Sequence, residues 1–123
     1  MAEGKKVLIV EDDEYLRSLA VKRLEKDGYL VTAVADGETA LKAAKEGTDI
    51  ILLDLLLPGM SGYEILEKLR VEEGTKNTPI IVFSNLGQKE DLEKAKALGA
   101  NDFLIKANFT LDDVVGKLQE FLK

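Results

Sequence analysis

The chain has 123 residues, 17 basic and 23 acidic side chains, a formal net charge of −6, and neither cysteine nor histidine. Those two gaps exclude disulfides, thiol nucleophiles, thiolate metal sites, Ser-His-Asp triads and any phosphate carried on an imidazole of this chain. The acidic balance argues against nucleic acid as a partner, because phosphate contacts need a basic face.

Any chemistry must therefore run on carboxylates, lysine, hydroxyls, the backbone and a hard cation. A length of this order suits one domain with its own core. The longest apolar stretch, residues 50–57, is interrupted by Asp54 and is far below membrane-spanning length. The polar stub from Met1 to Lys6 leads into an apolar run too short for a signal peptide. The expectation is a single domain over residues 1–123, located in the cytoplasm, with no membrane insertion and no DNA binding.

Short apolar runs alternate with helical patterns. Val7, Leu8, Ile9 and Val10 form a β-rich run, and Leu16, Leu19, Ala20 and Leu24 recur at helical spacing over residues 14–26. A second strand is predicted over 29–34 and a second helix over 38–45; a third pair falls at 50–53 and 63–70. Strands at 80–83 and 102–105, with helices at 92–98 and 111–122, complete five such pairs. Gly28, Gly47, Gly74 and Gly99 each follow a helical pattern, where a left-handed residue would close the helix. Ser61 with Glu64, and Thr110 with Asp113, have the spacing of helix N-terminal boxes.

Strands that are apolar at consecutive positions, each followed by a helix, indicate a parallel sheet covered on both faces. Five units are too few for an eight-stranded barrel. The predicted fold is thus α/β, a doubly wound (βα)5 flavodoxin-like sandwich with strand order 2-1-3-4-5. Right-handed crossovers place every strand's C-terminal end on one edge.

At that edge the chain has Glu11, Asp12 and Asp13 after strand one, Asp54 after strand three, Ser84 at strand four and Lys106 after strand five. Acids this close repel one another unless a cation intervenes. A cluster with oxygen donors only favours Mg²⁺, Mn²⁺ or another hard divalent ion. With such an ion present, one carboxylate can act as nucleophile toward phosphorus, with Lys106 and Ser84 stabilising the phosphoryl oxygens. Asp54, at the end of the central strand, is the candidate nucleophile. Asp13 has the simpler reading of an acid at a helix N-terminus, where it favours the macrodipole.

These pieces resemble the response-regulator receiver domain of two-component signalling across essentially the whole chain. The resemblance rests on the run from Val7 through Glu11, Asp12 and Asp13; on Asp54 to Gly62 with Pro58; on Val82, Phe83 and Ser84; on Gly99 to Phe103; and on Lys106. It implies that Asp54 accepts phosphate from the phosphohistidine of a sensor histidine kinase or a histidine phosphotransfer protein. It also implies an acid pair in which Asp12 binds Mg²⁺ directly and Glu11 mainly through water. Asp54 and the backbone carbonyl of Leu56 would complete the protein's ligands. Ser84 and Phe103 would be the switch pair. A downstream target would bind the face built from helix four, strand five and helix five, which carries Lys89, Glu93, Lys96 and Phe103. The absent histidine fits, since the imidazole belongs to the partner.

Three positions depart from the family pattern. The proline that usually follows the lysine in a cis peptide is replaced by Ala107, with Asn108 reading as a one-residue insertion. A cis bond before alanine costs roughly 3–4 kcal/mol, so a trans bond and a reshaped loop are predicted. Leu56 and Leu86 flank the site two residues after Asp54 and Ser84, where they would hinder an attacking water and slow self-dephosphorylation. Phe103 lacks the hydroxyl of the tyrosine often found there.

Several rival activities lack their residues. No acid stands two positions after Asp54 for a haloacid-dehalogenase-type phosphatase, and no glycine-rich nucleotide loop is present. The loop after strand one carries acids, where a flavodoxin-like cofactor binder would need glycines or hydroxyls. The remaining alternative is a receiver-like interaction module that is not phosphorylated.

Overall fold

The computed structural model describes residues 4–122; Met1 to Glu3 of the polar stub and Lys123 lie outside the described residues. Five parallel strands, β1 (Lys6–Val10), β2 (Leu30–Val34), β3 (Ile50–Leu53), β4 (Ile80–Ser84) and β5 (Asp102–Ile105), form one sheet of order β2-β1-β3-β4-β5. The helices are α1 (Glu14–Lys26), α2 (Gly37–Lys45), α3 (Gly62–Val71), α4 (Lys89–Ala97) and α5 (Leu111–Phe121). A short 3₁₀ turn, Lys106–Asn108, joins β5 to α5. The doubly wound architecture is the one expected from the alternating pattern.

Alternate residues of each strand serve opposite cores. Val7, Ile9, Ile50, Leu52, Ile81 and Phe83 pack against Ala20 and Leu24 of α1 and Val114, Val115 and Leu118 of α5. Leu8, Val10, Ile51, Leu53, Ile80 and Val82 pack against α2, α3 and α4 through Ala40, Ile65, Leu66, Leu69 and Ala95. The consecutive apolar runs are explained by this burial on both faces. Each fully buried Leu or Ile contributes about 1.5–3 kcal/mol relative to exposure, so the strands form the rigid floor on which the site is built.

The helix ends differ in detail from the predicted pattern. Gly28, Gly47 and Gly99 adopt positive φ as expected, but Gly74 does not. After α3 the chain passes through extended Glu72 into a turn, and the buried Thr75 hydroxyl donates to Leu69 O at 2.6 Å. That bond satisfies a carbonyl at the helix end, so no left-handed glycine is required. Tyr29 lies outside β2 because its N–H returns to Leu24 O, closing α1. α4 begins at Lys89, so its charged first turn of Lys89, Glu90 and Asp91 precedes the apolar span at 92–98, consistent with the placing of Lys89 on helix four. Among the described residues no helix is long and apolar enough to cross a membrane.

Candidate functional site

The acids after β1 are held by the strand-to-helix transition. Glu11 N–H still donates to Val34 O at 3.0 Å, so the chain follows the sheet to this residue before turning into α1. Asp13 caps α1 by accepting from Leu16 N–H at 3.0 Å, and its own N–H donates to Glu11 Oε2 at 3.1 Å. Asp13 thus has the capping role, while the buried Glu11 and exposed Asp12 face the sheet edge.

Asp54 extends β3 by one residue, donating N–H to Val10 O at 3.0 Å. Its side chain is 5% exposed and both oxygens are engaged: Oδ1 accepts from Leu56 N–H at 3.1 Å, and Oδ2 accepts from Lys106 Nζ at 2.8 Å. Gly62, at the start of α3, lies so close beneath this loop that a Cβ would stand 2.5 Å from Asp54 O and Leu55 Cα. Glycine is required there by space rather than by φ.

Lys106 draws the two ends of the chain together. Its ammonium lies 2.6 Å from Glu11 Oε1 as well as 2.8 Å from Asp54, with its side chain 14% exposed. Burial alone would lower the Lys106 pKa, but hydrogen bonds and charge from Asp54 and Glu11 outweigh it and raise the pKa above the ordinary lysine value. Glu11 is raised above the ordinary carboxyl value because burial outweighs its bonds to Lys106 and to Asp13 N–H. All peptide bonds of the described residues are trans, so the predicted trans bond to Ala107 is present, and the reshaped loop is the 3₁₀ turn.

Ser84 is fully buried at the end of β4, its hydroxyl accepting from Leu86 N–H at 3.5 Å. The β4–β5 register pairs Val82 with Phe103 and Ser84 with Ile105, which puts Phe103 diagonal to Ser84 on the α4 side of the sheet. Half-buried Phe103 lines a depression of about 320 Å³ with Leu92, Lys96, Ala100 and Asp102. Leu56 is 49% exposed, whereas Leu86 packs partly onto the core.

Carboxylate oxygens of Glu11, Asp12 and Asp54 lie within 4.8 Å of one another. Three carboxylates facing a single ammonium leave unbalanced negative charge, and the donors are all oxygen. Both features fit a hard divalent cation. The sequence reading missed Arg17, whose guanidinium donates to the carbonyls of Glu11 at 2.9 Å and Asp12 at 3.3 Å. No motif signals such a residue, because its partners are backbone atoms.

A doubly wound sheet with an acid cluster, a buried hydroxyl and a lysine at its carboxyl edge is the arrangement expected of a receiver domain. Residues 7–119 match the model of the response regulator receiver domain, and the chain belongs to that family. It is 33% identical over 119 residues to the transcriptional regulatory protein HprR of Escherichia coli, covering 96% of this chain and 52% of the relative. It thus spans about half the length of that curated relative. Among solved structures, the Vibrio cholerae chemotaxis protein CheY4 matches with a TM-score of 0.89 and 32% identity, over 95% of this chain and 98% of that one. The receiver domain of the sensor histidine kinase PA1611 from Pseudomonas aeruginosa matches with a TM-score of 0.86 and 33% identity, over 96% and 97% of the two chains. That structure has a magnesium ion coordinated in its active-site cleft. The expectation of no DNA binding rests on net charge alone, and HprR is a transcriptional regulator.

Proposed function

We propose that this receiver is switched by phosphorylation of Asp54, with a phosphohistidine of a sensor histidine kinase or histidine phosphotransfer protein as donor. The observation that carries the reading is the Lys106 ammonium, 2.8 Å from the carboxylate of Asp54 at the mouth of the acid cluster. An Asp54 oxygen attacks phosphorus, the P–N bond to the donor imidazole breaks, and the imidazole keeps that electron pair. Lys106 pairs with a phosphoryl oxygen, and the Ser84 hydroxyl donates to another. Asp12, Asp54 and the Leu56 carbonyl would hold Mg²⁺ or Mn²⁺, with Glu11 contributing mainly through water. When bound, the ion neutralises charge developing on the phosphoryl oxygens.

Phosphate on Asp54 draws Ser84 toward it and lets Phe103 repack. This changes the face of α4, β5 and α5 that includes Lys89, Glu93 and Lys96, where a target protein binds. The depression lined by Phe103 and Lys96 on this face gives the repacking a place to be read out. Residues 1–123 act as one receiver unit in this scheme.

The test is incubation with acetyl phosphate and Mg²⁺, followed by intact-mass measurement. A gain of about 80 Da, the mass of one phosphoryl group, is expected for the native chain and should vanish in Asp54→Ala. Absence of the gain in the native chain would favour an interaction module that works without phosphate.

A further inference from the structure

Residue 17 takes up all three carbonyls of the acidic triplet. Its backbone N–H donates to Asp13 O at 2.9 Å, and its guanidinium Nη1 donates to Glu11 O at 2.9 Å and Asp12 O at 3.3 Å. The carbonyls of Glu11 and Asp12 belong to the two peptide planes on either side of the Asp12 Cα. Each plane is rigid, so holding both leaves Asp12 little freedom in φ and ψ. The Asp12 carboxylate is exposed and makes no hydrogen bond or ion pair among the described residues. The backbone therefore sets only the direction of its Cα–Cβ bond, from which the carboxylate reaches the site, and Arg17 grips that backbone.

We infer that Arg17 is a positioning residue for the cation-binding arm, acting through the peptide planes that flank Asp12. The inference rests on the cation site proposed above. Ion pairing with Asp12 does not explain the arrangement, because both contacts are to carbonyl oxygens. Electrostatics also gives the role a diagnostic sign. Removing a positive charge from beside an acid cluster should strengthen cation binding. Loosening the arm that presents Asp12 should weaken it, as the loss of groups that orient metal ligands does.

The experiment is calorimetric titration of Mg²⁺ into the native chain, Arg17→Met and Arg17→Lys. Methionine keeps most of the side-chain bulk but has neither donor nor charge; lysine keeps a donor of similar reach. Arg17→Met should bind Mg²⁺ about tenfold more weakly, near the low end for loss of such a support, and Arg17→Lys should recover most of the affinity. Unchanged or tighter binding in Arg17→Met, or an equal loss in Arg17→Lys, would overturn the inference. Thermal melts in EDTA identify folded variants, and Arg17→Gln, too short to reach either carbonyl, replaces the methionine variant if that one does not fold. Acetyl phosphate labelling of the native chain, run in parallel, separates the two ideas. A native chain that binds Mg²⁺ but takes no phosphate at Asp54 counts against the phosphoacceptor reading alone.

Discussion

Lys106 Nζ stands closer to Glu11 Oε1, at 2.6 Å, than to Asp54 Oδ2, at 2.8 Å. One ammonium thus joins the end of β5 to the ends of β1 and β3, and both acid side chains are almost fully buried. Lys106 is a structural counter-ion for this edge as well as a candidate catalytic group.

Lys106→Met should therefore destabilise the protein in Mg²⁺-free buffer at pH 7 by about 3 kcal/mol, the low end for breaking a buried pair. The pKa shifts set the pH dependence. The Lys106 pKa is raised on folding, so its stabilisation is full below the unfolded lysine pKa and is lost as pH rises through the folded one. The Glu11 pKa is also raised, so the folded state takes up that proton more readily than the unfolded chain as pH falls. The difference between native chain and variant should stay constant from neutral to mildly alkaline pH. It should shrink at strongly alkaline pH, and again in acid as Glu11 becomes neutral. Urea unfolding across pH checks this, and a pH-independent difference would contradict it.

Mg²⁺ should raise thermal stability by relieving repulsion among Glu11, Asp12 and Asp54. At ten times its dissociation constant the linkage amounts to about 1.4 kcal/mol, a shift of several degrees in Tm. Asp12→Asn should abolish most of the shift while leaving the melt in EDTA little changed, since the Asp12 carboxylate is exposed. A shift of the same size in both proteins would remove Asp12 from the site.

Gly62→Ala should cost about 3 kcal/mol, the upper end for overpacking, or prevent folding. The added Cβ meets backbone at 2.5 Å, with no flexible side chain to yield. Gly74→Ala, where nothing lies within 4 Å and φ is not positive, should be nearly neutral. Equal effects in urea unfolding would show that the close approach beneath Asp54 relaxes cheaply.

Most of the architecture was legible because burial on both sheet faces leaves runs such as Ile50 to Leu53 that no other arrangement explains well. The acids, Ser84 and Lys106 were legible because the topology brings strand ends together once the strand order is known. Two features were not. Gly74 looked like a helix terminator, but a side-chain hydroxyl, Thr75, had taken over that bond. Arg17 sits half-buried on a charged helix face, and its partners are carbonyls that any residue could supply.

Leu56 and Leu86 bear on how long a phosphorylated state lasts. Leu86 packs against the core and Leu56 is half-exposed two residues after Asp54; we propose that the pair shields one approach to the site. The acyl phosphate should persist for minutes or longer at neutral pH with Mg²⁺, and Leu56→Ser should shorten its life several-fold. Phosphate release followed over time checks both; loss within seconds in the native chain would contradict the shielding role.

The most direct measurement traps the phosphorylated residue itself. After reaction with acetyl phosphate and Mg²⁺, borohydride reduces an aspartyl phosphate to homoserine, and peptide sequencing locates it. The expected result is homoserine at position 54 alone. Its appearance at position 12 or 13 instead, or nowhere in the chain, would contradict Asp54 as the phosphoacceptor.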